Sequence, residues 1–254
     1  MKLPRLIWTL TRATVHAVRG YWTIKSLFHK LEQNDREQRV NVWAQEMLAI
    51  VGITLTVQGE PSLTGPVLFV ANHISWLDIV VMHASRSCRF VSKSDIKGWP
   101  FVSTLAHGAG TLYLERESRR DAHRVVRLMA ERLSAGDVLA VFPEGTTGDG
   151  ITLRPFHANL IQAAIDSAVH VQPVALKFLD AKSGGVSFAP RYIDDDTLWR
   201  SVWNTLTAPP LRAVVTFGTP QLAEGKTRRE WAQMLRADID TLRSAVHDVK
   251  AKSP

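Results

Sequence analysis

Val67-Leu68-Phe69-Val70-Ala71-Asn72-His73-Ile74-Ser75-Trp76-Leu77-Asp78 is the stretch that decides how this chain folds. It opens with apolar residues, two of them valines, directly after Pro66, which is the pattern of a short buried strand. Asn72 breaks the run, and Ser75 is placed to cap a helix over 76–83. A strand turning sharply into a helix sets its turn residues at the carboxyl edge of a sheet, where α/β proteins place their chemistry. His73 and Asp78 are five residues apart. On one continuous helix that spacing would splay them by about 140°, so they meet only if His73 precedes the helix. An imidazole held by a carboxylate is a general base, because the carboxylate fixes the tautomer and stabilises the imidazolium formed. A histidine at a strand end is more often structural than catalytic, so the pair gains weight only if other parts of the chain agree.

At 254 residues the chain is long enough for one sizeable α/β domain with an appendage, and two separate cores would be tight. A hydrophobic share of 45% and a charged share of 22% fit a globular protein without a long disordered tail. The net charge of +7 points to anionic partners, whether phospholipid headgroups, nucleic acid or a phosphate-bearing cofactor. With one cysteine, Cys88, there is no internal disulfide and no zinc site built from cysteines. Eight tryptophans suit both a core and the boundary between membrane and water.

Residues 1–30 carry six lysines and arginines and no acid. Arg5, Arg12 and Arg19 recur every seven residues, so on a helix they drift only about 20° per step and form one cationic stripe. No apolar run approaches the roughly 20 residues of a spanning helix, and the arginines divide what would be the apolar region of a signal peptide. An amphipathic helix lying in a membrane surface fits better, with Trp8, Tyr21 and Trp22 at headgroup level. A helix packed on the domain in the ordinary way fits nearly as well. A second helical pattern from Val40 to Val51 stops at Gly52, where the texture shifts. The chain is therefore expected to divide into an N-terminal helical element, 1–52, and an α/β domain, 53–254.

Beyond Gly52, apolar segments alternate as strand and helix. Strands are expected over 53–57 (an edge), 67–71, 89–92, 110–114, 138–142, 171–178 and 212–217. Helices are expected from Ser118 to Gly136, over 159–169, and over 230–249. Strands separated by helices imply a mainly parallel sheet covered on both faces. Three loops follow strands and can meet at one edge: Asn72–Asp78, Glu115-Arg116, and Phe142-Pro143-Glu144-Gly145-Thr146. Arg116 has the chemistry to grip a phosphate in two-pronged fashion, though it lies in a basic stretch where, taken alone, a plain surface charge is the better reading. Glu144, between Pro143 and Gly145, can bond a hydroxylated substrate or brace its own loop. His107, His123, His157 and His170 show no metal-ligand spacing. Nucleotide-binding glycine patterns and the nucleophile elbow of α/β-hydrolases are absent.

In this order the residues resemble the glycerolipid acyltransferase family, which includes the lysophosphatidic acid acyltransferases. Asn72-His73-Ile74-Ser75-Trp76-Leu77-Asp78 is similar to its Asn-His-x-x-x-x-Asp block. Gly110-Thr111-Leu112-Tyr113-Leu114-Glu115-Arg116 is similar to the second block, whose arginine is assigned to the acceptor phosphate. Phe142-Pro143-Glu144-Gly145-Thr146 matches the third and Val171-Gln172-Pro173-Val174 the fourth, while Lys93 stands where the family commonly has a lysine. The resemblance covers about residues 40–220. It departs at Thr147-Gly148, where the family commonly continues Arg-Ser, and that variant is similar to lyso-ornithine lipid acyltransferases of the same family.

The resemblance implies an O-acyltransferase that moves a fatty acyl group from acyl-CoA or acyl carrier protein to the hydroxyl of a lysolipid. The expected acceptor is 1-acylglycerol 3-phosphate, with lyso-ornithine lipid as the alternative. His73 is the expected base and Asp78 its orienting partner. Asn72, Lys93, Arg116, Glu144, Gly145, Thr146 and Pro173 are the expected substrate contacts. Backbone N–H groups at Ser75 or in the Gly145 turn are the expected oxyanion donors. No metal, cofactor or nucleic acid is implied, and the N-terminal element is expected to hold the protein peripherally on the cytoplasmic face of the membrane. A thioester hydrolase and a non-catalytic membrane-binding protein are the competing classes.

Overall fold

Strand β2 (Val67–Ala71) forms the middle of the molecule, with every one of its residues buried. The computed structural model describes residues 3–93, 99–114, 119–193 and 196–246. Around β2 lie β1 (Ile53–Gln58), β3 (Arg89–Lys93), β4 (Leu112–Leu114), β5 (Val138–Val141), β6 (His170–Asp180) and β7 (Leu211–Phe217). Their spatial order is β1-β7-β6-β2-β5-β3-β4. Pairings are parallel except between β6 and β7, which run antiparallel. Because β2, β5, β3 and β4 point the same way, the loops after them gather at one edge of the sheet.

Eight α-helices are described: α1 (Leu3–Leu27), α2 (Gln33–Val51), α3 (Leu77–Ser85), α4 (Pro100–Gly108), α5 (Arg119–Ser134), α6 (Gln162–Asp166), α7 (Leu198–Thr207) and α8 (Arg228–Ala245). Side chains alternate across β2, so its two faces build two cores. Val67, Phe69 and Ala71 pack with Ala44 and Leu48 of α2 and with Leu77, Val81 and Met82 of α3. Leu68 and Val70 pack with Met129 and Leu133 of α5, Ala163 of α6, and Trp231, Leu235 and Ile239 of α8. Each large side chain buried this completely contributes about 1.5–3 kcal/mol.

The N-terminal helices pack on the rest of the chain. Gly52 closes α2 in the left-handed conformation (φ 76°), and Ala44 and Leu48 of that helix pack into the same core as β2. Helix α1 rests on α2 through His16, whose ring stacks on Trp43 at 5.3 Å and whose Nε2 lies 2.9 Å from the Trp43 carbonyl. Gly20 makes room for that indole, since a Cβ there would come within 2.6 Å of Trp43 Nε1. Only Leu6 and His16 of α1 are buried, while Ile7, Trp8, Val18 and Trp22 face outward with Arg5, Arg12 and Arg19. Among the described residues, no helix is long and apolar enough to cross a membrane.

Other departures have local causes. Helix α4 was not expected, because Pro100 at its first turn reads as a breaker although proline is well tolerated there. Helix α7 also escaped notice; Thr197 caps it by accepting from Arg200 N. The helix expected over 159–169 is a 3-10 turn (Ala158–Leu160) followed by the short α6. The terminal helix begins two residues earlier than expected, at Arg228, with Thr227 and Glu230 forming a reciprocal capping box.

Candidate active site

Strand β2 delivers Asn72 and His73 past its last sheet pair, Ala71 opposite Val174. Asn72 is 1% exposed and spends its amide on one neighbour: its Nδ2 donates to the Leu176 carbonyl (3.1 Å) and its Oδ1 accepts from Leu176 N (2.7 Å). The side chain thus extends the pairing of β2 with β6 by one step. Expected as a substrate contact, Asn72 here has both ends of its amide engaged by Leu176, next to His73.

That residue is His73. It lies outside the helix, as the five-residue spacing demands, and its Nδ1 is 2.8 Å from Asp78 Oδ2. The same oxygen accepts from Ile74 N (2.6 Å) and Ser75 N (2.8 Å), so Asp78 clamps the turn from the first turn of α3. An oxygen already receiving two N–H groups acts toward the ring as an acceptor. Nδ1 therefore carries the proton, and Nε2 keeps its lone pair. Asp78 is fully buried, while the His73 side chain is 18% exposed. The carboxylate is inside and the imidazole is at the surface of the site.

The loop after β5 holds His73 from the other side. Glu144 is buried, with Oε1 accepting from His73 N (2.8 Å) and Oε2 from Arg154 N (2.9 Å). Burial pushes its carboxyl above the usual range, with the two backbone bonds pulling in the opposite direction. The bracing role is the one its geometry fits. Gly148 N donates to the His73 carbonyl (2.7 Å), so the main chain of His73 is held at both ends. A Cβ on Gly148 would sit 3.2 Å from Glu144 Oε2 and 3.5 Å from that carbonyl. Gly145 has a positive φ of 73° and closes a tight turn onto the Phe142 carbonyl (3.1 Å), with Thr146 exposed beside it.

Further side chains surround the pair. The Phe142 ring stacks flat on the His73 imidazole, centroids 4.0 Å apart and planes 4° from parallel. Phe90 stacks behind Phe142 at 5.3 Å, and buried His83 meets Phe90 edge-on. Arg243, 93 residues on from Gly150, donates from α8 to the carbonyls of Gly150 (2.7 Å) and Ile151 (3.1 Å). The segment before β7 also grips the turn: Tyr192 N donates to the Ile74 carbonyl and Trp76 Nε1 to Ser201 Oγ. Of these, Trp76 and Phe142 stand in loops expected at this edge and Phe90 in a predicted strand, whereas the reach of Arg243 and Tyr192 had no local signal.

Other expected contacts are placed as follows. Lys93 ends β3 opposite Leu114, its side chain outside the described residues, and Arg116 lies outside them too. Pro173 lies buried in β6 opposite Val70, and a Cβ on Gly218 would come within 2.8 Å of its ring and 3.0 Å of Leu242. Expected as a substrate contact, it is buried in the sheet beside Gly218 and Leu242 of α8. The two expected oxyanion donors are also engaged, Ser75 N by Asp78 and Gly145 N by Phe142. Burial pushes the Cys88 thiol up, which unfits it as a nucleophile.

An imidazole with a free Nε2, backed by a buried carboxylate at the carboxyl edge of a sheet, can take a proton from a hydroxyl and return it to a leaving group. Comparison with known proteins agrees with that capacity. The family model described as acyltransferase matches residues 54–177. A 1-acyl-sn-glycerol-3-phosphate acyltransferase from Neisseria gonorrhoeae is 39% identical over 172 residues, covering 66% of this chain and 67% of that protein. A lyso-ornithine lipid O-acyltransferase from Pseudomonas aeruginosa is 33% identical over 204 residues, covering 80% and 78%. The fold is shared with the crystal structure of a 1-acyl-sn-glycerophosphate acyltransferase from Thermotoga maritima, with a TM-score of 0.72 and 18% identity over 99% of this chain and 97% of that one. This chain belongs to the acyltransferase family.

Proposed function

We propose that the protein transfers a fatty acyl group from a thioester donor, acyl-CoA or acyl carrier protein, to the free hydroxyl of 1-acylglycerol 3-phosphate. The observation that carries this reading is the His73–Asp78 pair, 2.8 Å apart, with one member buried and the other open. Nε2 of His73 removes the hydroxyl proton as the oxygen attacks the thioester carbonyl. The tetrahedral intermediate collapses with cleavage of the carbon–sulfur bond, and the imidazolium returns its proton to the departing thiolate. Asp78 holds the tautomer and stabilises the cation during the cycle. The products are the diacylated lipid and a free thiol, and neither a metal nor an organic cofactor is needed. Positioning of both substrates at one site supplies much of the rate.

Lyso-ornithine lipid is the second acceptor considered, favoured by the longer match to the Pseudomonas relative and by Thr147-Gly148 after the third block. In either case the acceptor resides in a bilayer. The outward-facing Trp8 and Trp22 of α1, interleaved with Arg12 and Arg19, support peripheral binding to anionic phospholipid, in our reading at the cytoplasmic face. Lys93 and Arg116 are retained as candidate contacts for a phosphate-bearing acceptor. The test is an acyl-transfer assay with both lysolipids and both donor types. Diacyl product from 1-acylglycerol 3-phosphate supports the proposal, product from lyso-ornithine lipid alone replaces the acceptor, and release of free fatty acid without transfer overturns it.

A further inference from the structure

Two charged surfaces of this protein differ in kind. Helix α1 mixes its arginines with exposed Ile7, Trp8, Val18 and Trp22 and lies with α2 over the face of the sheet that α3 covers. Helix α5 covers the opposite face, burying Val125, Met129 and Leu133 against Leu68 and Val70. Its sequence holds five arginines against two acids, Asp121 and Glu131. His123, Arg124, Arg127 and Arg132 are exposed, with Arg127 reaching Glu131 at 3.5 Å. Among the described residues, α5 exposes no large hydrophobic side chain. A cationic face with apolar anchors suits a bilayer; a cationic face without them suits a water-soluble acidic partner held by charge.

The position of α5 gives that face a purpose. It follows β4, whose carboxyl end lies at the same edge of the sheet as that of β2. In the order β2-β5-β3-β4 the two strands are three spacings apart, about 14 Å at about 4.8 Å per spacing. A partner seated on α5 would therefore stand within reach of His73 by a flexible arm, on the face away from α1 and α2.

We propose that the outer face of α5, with Arg124 and Arg127 at its middle, docks an acidic carrier protein that presents the acyl thioester on a flexible arm. This rests on the proposed function and chooses between its two donors. The carrier approaches from water on the α5 side while the lipid acceptor approaches from the opposite side. Acyl-CoA, which needs no protein docking surface, reaches the same centre without engaging α5.

The full-length double variant Arg124→Glu/Arg127→Glu tests this against wild type, with thermal melting to verify the fold. Binding of fluorescent acyl carrier protein is read by anisotropy, independently of turnover. The variant should bind the carrier about tenfold more weakly, and wild-type binding should fall steeply with added salt. In steady state its KM for the acyl carrier donor should rise by a similar factor, with kcat and the KM for acyl-CoA unchanged. Unaltered carrier binding overturns the proposal, as does an equal rise in KM for acyl-CoA or a wild type that neither binds the carrier nor uses it as donor. Transfer from acyl-CoA with no response to the carrier would sink α5 docking and leave the acyltransferase reading standing. Carrier binding that depends on Arg124 and Arg127 without any acyl transfer would do the reverse.

Discussion

Replacing Asp78 by asparagine removes the charge behind the proposed base, His73, and little else. In the wild type, Oδ2 accepts from His73 Nδ1, Ile74 N and Ser75 N, while Oδ1 is buried with no partner among the described residues. An asparagine keeping its oxygen at the Oδ2 position leaves both backbone donors satisfied and puts its NH2 where nothing was bonded. What is lost is the attraction between carboxylate and imidazolium. At 2.8 Å and an effective dielectric constant of about 20, this amounts to about 6 kcal/mol. The His73 side chain is 18% exposed, so water recovers part of that. The expected net loss is about 4–5 kcal/mol of transition-state stabilisation, roughly 1,000- to 5,000-fold in kcat/KM. The assay is acyl transfer under single-turnover conditions, with circular dichroism and thermal melting to show an intact fold. A folded Asp78→Asn protein within tenfold of wild type would refute the assignment of Asp78 as the partner of the base.

Phe142→Leu removes the flat stack on His73 and should lower kcat by about fivefold, on the scale of about 1 kcal/mol for an aromatic pair, with KM nearly unchanged; unchanged kcat would mean that Asp78 alone aims the ring. Gly148→Ala presses a Cβ to 3.2 Å from Glu144 Oε2, so activity should fall more than the melting temperature does. Turnover equal to wild type would show that the loop yields without moving His73. Burial lowers the pKa of His83 to about 4. Its folded value lies below its unfolded value of about 6.5, so the unfolded chain binds the extra proton and stability should decline as pH falls from about 6.5 toward 4. Urea unfolding across that window reads the decline, and His83→Leu should flatten part of it; an equally steep decline in that variant would rule out His83 as a source.

The parts of this architecture that were legible in the sequence are those set by local pattern. Val67–Ala71 is apolar at every position because both faces of β2 are covered, and His73 had to precede the helix for its spacing from Asp78 to work. Strand direction is not a local property, which is why the antiparallel β6–β7 pair could not be read from alternation. Asn72 and Pro173 were expected at substrate because the family resemblance implied it, and the fold turns both inward, one to Leu176 and the other toward Gly218. Arg243 holds a loop more than ninety residues away, and no spacing rule reaches that far. The pairing of α2 with α3 was hidden for the same reason: Asn41 and Gln45 donate to the carbonyls of His83 and Ala84 at the end of α3. The N-terminal helices thus brace the very helix that carries Asp78.

The central claim is that His73 is the base that activates the lipid hydroxyl. Single-turnover acyl transfer by His73→Ala, measured against wild type on the same lysolipid and donor, tests it most directly. The account predicts a loss of about 100- to 10,000-fold in the rate of transfer, with the melting temperature retained. Transfer at a near-normal rate by that variant would contradict it.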